Sequence, residues 1–227
     1  MIRREGDLAV EVRGEKLWLL PERAIYWEGR DALLVADPHF GKAATFRASG
    51  IPVPGGTTGN AVARLEAIAD RTAARRIVFL GDFLHARPAQ SKEVMEQLER
   101  WRRAYRDVEL MLVRGNHDRH AGDPPGELTI SCVDAPVLTP PFILAHHPKP
   151  RDEGYVLAGH FHPAVRLSGK ARQSLRLPCF VFGAEVATLP AFGDFTGLAD
   201  IEPDAGDRVY AIADQGVIDV GEARVTG

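Results

Sequence analysis

The sequence predicts an α/β fold in which two β-sheets pack face to face with helices outside them, a four-layer α-β-β-α arrangement. Three observations point there. Five short, continuous apolar runs, Leu33–Ala36, Ile77–Leu80, Leu110–Val113, Phe142–Ala145 and Tyr155–Ala158, suit strands buried on both faces. Two segments of helical period fit between the first three runs. Further strand-like segments at both ends of the chain supply material for a second sheet.

In order, Leu8–Val12 and Lys16–Leu20 flank Arg13-Gly14-Glu15 and read as a hairpin, and Ala24–Trp27 reads as another short strand. Thr58–Arg75 carries Val62, Leu65, Ile68, Ala69 and Thr72 on one stripe. Ser91–Arg106 carries Val94, Leu98, Trp101 and Tyr105, with Ser91 as its N-cap. Strand–helix–strand–helix–strand implies parallel strands with right-handed crossovers, so their C-terminal ends share one sheet edge, where sites are built. Leu175–Phe182, Arg208–Ile212 and Val217–Val220 read as later strands, with Asp214-Gln215-Gly216 as a hairpin turn. No repeat or low-complexity linker interrupts the chain, and residues 1–227 are expected to form a single domain.

The 227 residues are 45% hydrophobic and 26% charged, with a formal net charge of -3. That excludes a strongly basic nucleic-acid coat but not a local basic patch. No signal peptide and no membrane span are read, so a cytoplasmic protein with no membrane partner is expected. Cys132 and Cys179 stand alone and read as reduced thiols.

Each of the five apolar runs stops at residues able to bind a metal. All eight histidines lie in or beside these stops, and none falls in the first 38 residues or the last 65. Asp37 and His39, Asp82, Asn116, His146, His160 and His162 offer imidazole, carboxylate and amide donors without thiolate. That set suits two divalent cations such as Mn, Fe or Zn. A carboxylate can bridge such a pair. His160-x-His162 would put two imidazoles on one side of an extended backbone. His147 is an alternative to His146.

Asp37-x-His39, Gly81-Asp82, Gly115-Asn116-His117-Asp118, a strand-end His146 and Gly159-His160-x-His162, in this order, resemble the calcineurin-like metallophosphoesterase superfamily. The resemblance implies that Asp37, His39 and His162 hold one metal, that Asn116, His146 and His160 hold the other, and that Asp82 bridges. It assigns His117 to phosphate contact and protonation of the leaving oxygen. Phe40-Gly41-Lys42, Gly81–His85, Gly154–Pro163 and Leu189–Gly197 are similar to the bacterial DNA-ligase-associated metallophosphoesterases, the PdeM group. That likeness implies a manganese-dependent DNA endonuclease or phosphodiesterase of DNA damage repair, working beside a ligase, a helicase and a second nuclease. His85 stands where many superfamily members have Asp; it contacts phosphate or orients Asp82.

Other signals are weaker. Gly41-Lys42 lacks the rest of a nucleotide-binding loop. Lys42, Lys149, Arg151, Arg166, Lys170, Arg172 and Arg176 are candidate phosphate contacts. Arg100, Arg102, Arg103 and Arg106 read as a solvated helix face or a nucleic-acid patch. His120 reads as a surface or supporting residue, and Phe192 and Phe195 as loop packing or base-stacking groups. The competing readings are a phosphatase or cyclic-nucleotide phosphodiesterase with the same metals, and a non-enzymatic interaction module on the same fold.

Overall fold

The computed structural model describes residues 4–53, 56–168, 174–194, 196–214 and 216–222. One sheet lays seven strands side by side in chain order: β1 (Leu8–Val12), β2 (Glu15–Leu20), β3 (Ala24–Trp27), β4 (Ala32–Val35), β5 (Arg76–Phe79), β6 (Glu109–Val113) and β7 (Ser131–Val133). Pairing is antiparallel through β4 and parallel from β4 onward. Helices α1 (Lys42–Ala48) and α2 (Thr57–Thr72) connect β4 to β5, α3 (Lys92–Ala104) connects β5 to β6, and α4 (Asn116–Ala121) follows β6. The expected stripe of α2 is buried, and Ser91 caps α3 by accepting a hydrogen bond from Val94 N.

The second sheet contains β8 (Val137–Thr139), β9 (Phe142–Leu144), β10 (Tyr155–Ala158), β11 (Pro163–Ser168), β12 (Ser174–Phe182), β13 (Val186–Thr188), β14 (Ala199–Asp200), β15 (Arg208–Ala213) and β16 (Gly216–Glu222). Its order is β14-β11-β12-β13-β10-β9-β8, with β15 added on β12 and β16 on β15. Gln215, in the expected turn between β15 and β16, lies outside the described residues.

Alternation along each strand explains why the runs are apolar on both faces. On β4 and β5, Leu33, Val35, Ile77 and Phe79 pack against α2 and α3 with Leu65, Ile68, Leu98 and Trp101. Their neighbours Leu34, Ala36, Val78 and Leu80 face the other way and meet Phe142, Leu144, Tyr155, Leu157 and Phe180 of the second sheet. The helices therefore flank the first sheet. Among the described residues, one short 3-10 turn at Gly126–Leu128 follows α4, and the remaining elements are strands of the two packed sheets and their loops. The parallel step from β9 to β10 is made instead by the histidine- and proline-rich loop 145–154.

The strand ends that carry polar clusters thus belong to two sheets rather than one edge. β4, β5 and β6 end in the first sheet, β9 and β10 in the second, and packing of the sheets brings the five ends together.

Candidate metal centre

The loops leaving β4, β5 and β10 turn back at once. Asp37, His39, Asp82, His160 and His162 all have positive φ, between 46° and 75°. Non-glycine residues pay on the order of 1–3 kcal/mol each for such conformations, which persist where the surroundings over-determine them. His160 and His162 do not lie on an extended strand as expected; both are left-handed in a bend after β10, and the turn rather than strand alternation aims their rings.

The loops are laced together. His39 N donates to Asp82 O at 3.0 Å, His117 N to Asp82 Oδ1 at 2.9 Å, and His160 N to Asp37 Oδ2 at 2.7 Å. A Cβ on Gly115 would overlap Asp82 Oδ1, and one on Gly159 would overlap Asp37 Oδ2. These two glycines precede Asn116 and His160 because only a bare backbone can lie against the neighbouring carboxylate.

The convergence yields overlapping groups of donor atoms: Asp37 with His39 and His162, Asp37 with Asp82 and His146, and His146 with His147 and His160. His146 Nδ1 donates to Leu80 O at 3.0 Å, which leaves the Nε2 lone pair facing Asn116 Oδ1 at 2.8 Å and Asp82 Oδ1 at 3.5 Å. Similarly, His162 Nδ1 donates to Thr196 O at 3.0 Å, and Nε2 lies 3.7 Å from Asp37 Oδ2. Acceptors pointed at one another repel unless a cation lies among them.

Burial shifts these groups the same way. Desolvation, reinforced by Asp82, holds the Asp37 carboxyl well above its usual range, and desolvation also raises Asp82. Desolvation pushes His146 down to about 4 and lowers His39, His160 and His162. The histidines are therefore neutral near pH 7, the form that binds metal. Asp37 Oδ1 and His39 Nδ1 are buried without a hydrogen-bond partner. Orphaned donor atoms, neutral imidazoles and two carboxylates that, among the described residues, form no ion pair with a lysine or arginine fit divalent cations.

Residues 32–155 match the family model described as calcineurin-like phosphoesterase. The chain belongs to that family. The crystal structure of Pseudomonas putida nuclease MPE is similar at 43% identity and a TM-score of 0.83, covering 94% of this chain and 100% of that one. A phosphoesterase from E. coli, Yfce, aligns at 15% identity and a TM-score of 0.41 over 85% of this chain and 99% of its own. No curated protein matches. The protein is thus a metal-dependent phosphoesterase, which sets aside the non-enzymatic module.

Around this phosphoesterase's centre, His117 Nδ1 donates to His85 O at 2.8 Å, leaving Nε2 4.0 Å from Asp82 Oδ2. The His85 ring stacks on His117 with centroids 5.0 Å apart, and burial lowers its pKa to about 4. His146 is fully buried while His147 is exposed and packs on His160 at 4.2 Å between ring centroids. Lys42 is half-buried at the start of α1, and desolvation lowers its pKa. Arg166 and Arg176 both pair with Asp200, and Arg102 caps the end of α3 on Tyr105 O and Val108 O. Phe192 is 0% exposed under the Arg64 guanidinium, so it packs and does not stack on a base. Lys170, Arg172 and Phe195 lie outside the described residues.

Sequence reasoning missed two supports. Buried Asp118 accepts hydrogen bonds from Asp82 N at 2.7 Å, Gly115 N at 2.8 Å and Phe83 N at 2.9 Å, tying two metal loops together. Its place in the Gly-Asn-His-Asp motif was the available signal. The Leu189–Gly197 segment clamps the first loop, through Phe192 N on Ala36 O at 2.8 Å and Gly193 N on Asp37 O at 3.2 Å.

Replacing Asp118 by Asn leaves one acceptor oxygen for three N–H groups. The variant should lose roughly 1–3 kcal/mol of stability and part of its metal; thermal denaturation and elemental analysis check this, and unchanged values in both would remove Asp118 from that role.

The pKa directions also set a pH dependence. Raised Asp37 and Asp82 stabilise the metal-free fold in acid, and this contribution is lost as pH rises from about 4 through their folded values. The lowered histidines act oppositely: their acid penalty is relieved as pH rises to about 6.5. Cation binding requires ionised carboxylates and neutral imidazoles, so the Tm gap between metal-loaded and chelator-treated protein should widen from about pH 5 to about pH 8. Paired calorimetric scans across that range measure it; a gap independent of pH would contradict the donor set.

Proposed function

We propose that this phosphoesterase is a two-metal phosphodiesterase that cuts DNA in damage repair, with manganese as the working ion. The observation that carries the reading is the pairing of donor groups across Asp82. It supports Asp37, His39 and His162 as one ligand set, Asn116, His146 and His160 as the other, and Asp82 as the bridge. The burial of His146 and its approach to Asn116 and Asp82 favour it over His147 as ligand.

When bound, two such cations supply Lewis acidity to the phosphate and acidify a water for in-line attack. The protein's own groups do the rest. The left-handed loops hold the donors in place before substrate arrives, which limits reorganisation during reaction. His117, oriented by its hydrogen bond to His85 O, would as the imidazolium carry a second proton on Nε2 and give it to the departing oxygen, returning to the neutral Nδ1–H form. The His85 ring and the Lys42 ammonium stand beside it as phosphate contacts.

DNA as substrate draws support from three short elements packed around the centre. Gly41, just before α1, lies against Ala89 of the 3-10 turn Arg87–Ala89, and Gln90 Nε2 donates to Ala121 O of α4 at 3.0 Å. Lys42, Arg47, Arg87 and Arg119 ride on this rim, the three arginines exposed. Exposed Lys149 adds to it, whereas Arg166 and Arg176 are engaged by Asp200. The nuclease relative agrees with a nucleic-acid substrate. Cooperation with a ligase, a helicase and a second nuclease, and a cytoplasmic setting, rest on the PdeM likeness. Among the described residues no helix is long and apolar enough to cross a membrane. The core shared by both sheets supports reading the chain as one domain.

His117→Ala should keep its metal and lose roughly 10²–10⁴-fold in rate, less on substrates with a nitrophenolate leaving group. Loss of a metal instead would make His117 a ligand. Cleavage of single-stranded and supercoiled DNA should need manganese more than magnesium and weaken with salt. Arg87→Ala should reduce the slope of log affinity against log salt by about 1. Absence of DNA cleavage with any metal, beside robust hydrolysis of a small cyclic or monoester phosphate, would move the substrate to small phosphoesters.

A further inference from the structure

Phe161 sits between two residues of the proposed ligand set and points away from the core. Among the described phenylalanines it alone is exposed, at 56%. Left-handed His160 and His162 flank it, with φ of 75° and 50°, and Phe161 N donates to Gly159 O at 3.0 Å. This tight turn fixes the backbone, so the ring's position is tied to the metal loop. Its centroid lies 5.3 Å from that of His160.

The ring also lines a cavity of about 920 Å³, together with Pro148, Pro150, Tyr155 and Pro163. None of the seven proposed ligands lines that cavity. Phe161 therefore stands at the border between the reaction centre and a recess beside it. The lining of the recess carries Glu11, Glu185, Asp200, Glu202, Asp204 and Asp207 against Arg13 and Arg208, an excess of negative charge that repels a phosphate backbone. A flat, uncharged, partly apolar group suits the recess; a phosphate does not.

We propose that Phe161 is a stacking platform for the nucleobase next to the scissile phosphate, an assignment that rests on the phosphodiesterase reading. Phosphates then follow the cationic rim of α1 and α4, and the neighbouring base turns the other way onto the Phe161 ring. Every base has a π-face, so such a contact selects nucleotides over simple esters without selecting a sequence.

The test compares two diesters with the same leaving group, thymidine 5′-(p-nitrophenyl phosphate) and methyl p-nitrophenyl phosphate. The readout is the ratio of their kcat/KM values on the manganese-loaded protein. A ratio cancels any loss of active fraction in a variant. Phe161→Ala should lower the ratio about 5- to 150-fold, the range of base–aromatic stacking. Phe161→Leu should stay as low as Ala, and Phe161→Trp should restore the ratio or exceed it. A ratio unchanged in Phe161→Ala, or restored by Leu as fully as by Trp, would overturn the stacking role and leave the phosphodiesterase reading intact. Wild-type protein that hydrolyses neither diester but takes p-nitrophenyl phosphate would overturn both.

Discussion

Asp37 and Asp82 are buried side by side against His39, His146 and His162, whose pKa values desolvation lowers, and the loop architecture around them is organised by that constraint. Carboxylates taken out of water need either a proton or a positive partner. Among the described residues no lysine or arginine reaches them through an ion pair; their close partners are His39, His117, His146 and His162. Divalent cations resolve the conflict for both carboxylates at once. The same cations convert a set of mutually repelling acceptors into a ligand set.

Holding such a set before the cations arrive takes rigidity, and the two packed sheets provide it. Strained residues cluster at these strand ends: β4, β5 and β10 are followed by left-handed residues, and β6 by a glycine pressed on Asp82. The strain is local, while the burial that opposes it is spread over Leu34, Val78, Leu144, Leu157 and their neighbours between the sheets. Asp118 and the Leu189–Gly197 segment add hydrogen bonds from outside the ligand set, so the donors are braced from several directions.

Chemistry and recognition occupy different surroundings. The reaction centre is deep, with desolvated carboxylates and with His39, His146, His160 and His162 lowered in pKa by burial. The rim on α1, the Arg87–Ala89 turn and α4 is cationic, and in the lining of the recess beside Phe161 carboxylates outnumber arginines. On the proposed reading, a polyanion with uncharged bases matches that division, since its two kinds of group prefer opposite walls.

The amino-acid sequence by itself determined the strands and the donor chemistry. Continuous apolar runs such as Leu33–Ala36 mark strands covered on both sides, because alternate residues face alternate layers, and Leu33 and Leu34 indeed pack in different cores. Donor types at the ends of those runs were equally legible, since residue identity alone states what can bind a cation. Only the tertiary structure decided where the ends meet. Sheet packing is set by distant side chains such as Phe142 and Phe180, and no local pattern reveals that β9 and β10 belong to another sheet than β4 to β6. Nor could spacing reveal that His160 and His162 sit in left-handed turns, that Arg166 and Arg176 are held by Asp200, or that Phe192 is buried while Phe161 is not. Those outcomes depend on neighbours brought in from elsewhere in the chain, and backbone strain of this kind is tolerated only when such neighbours are present.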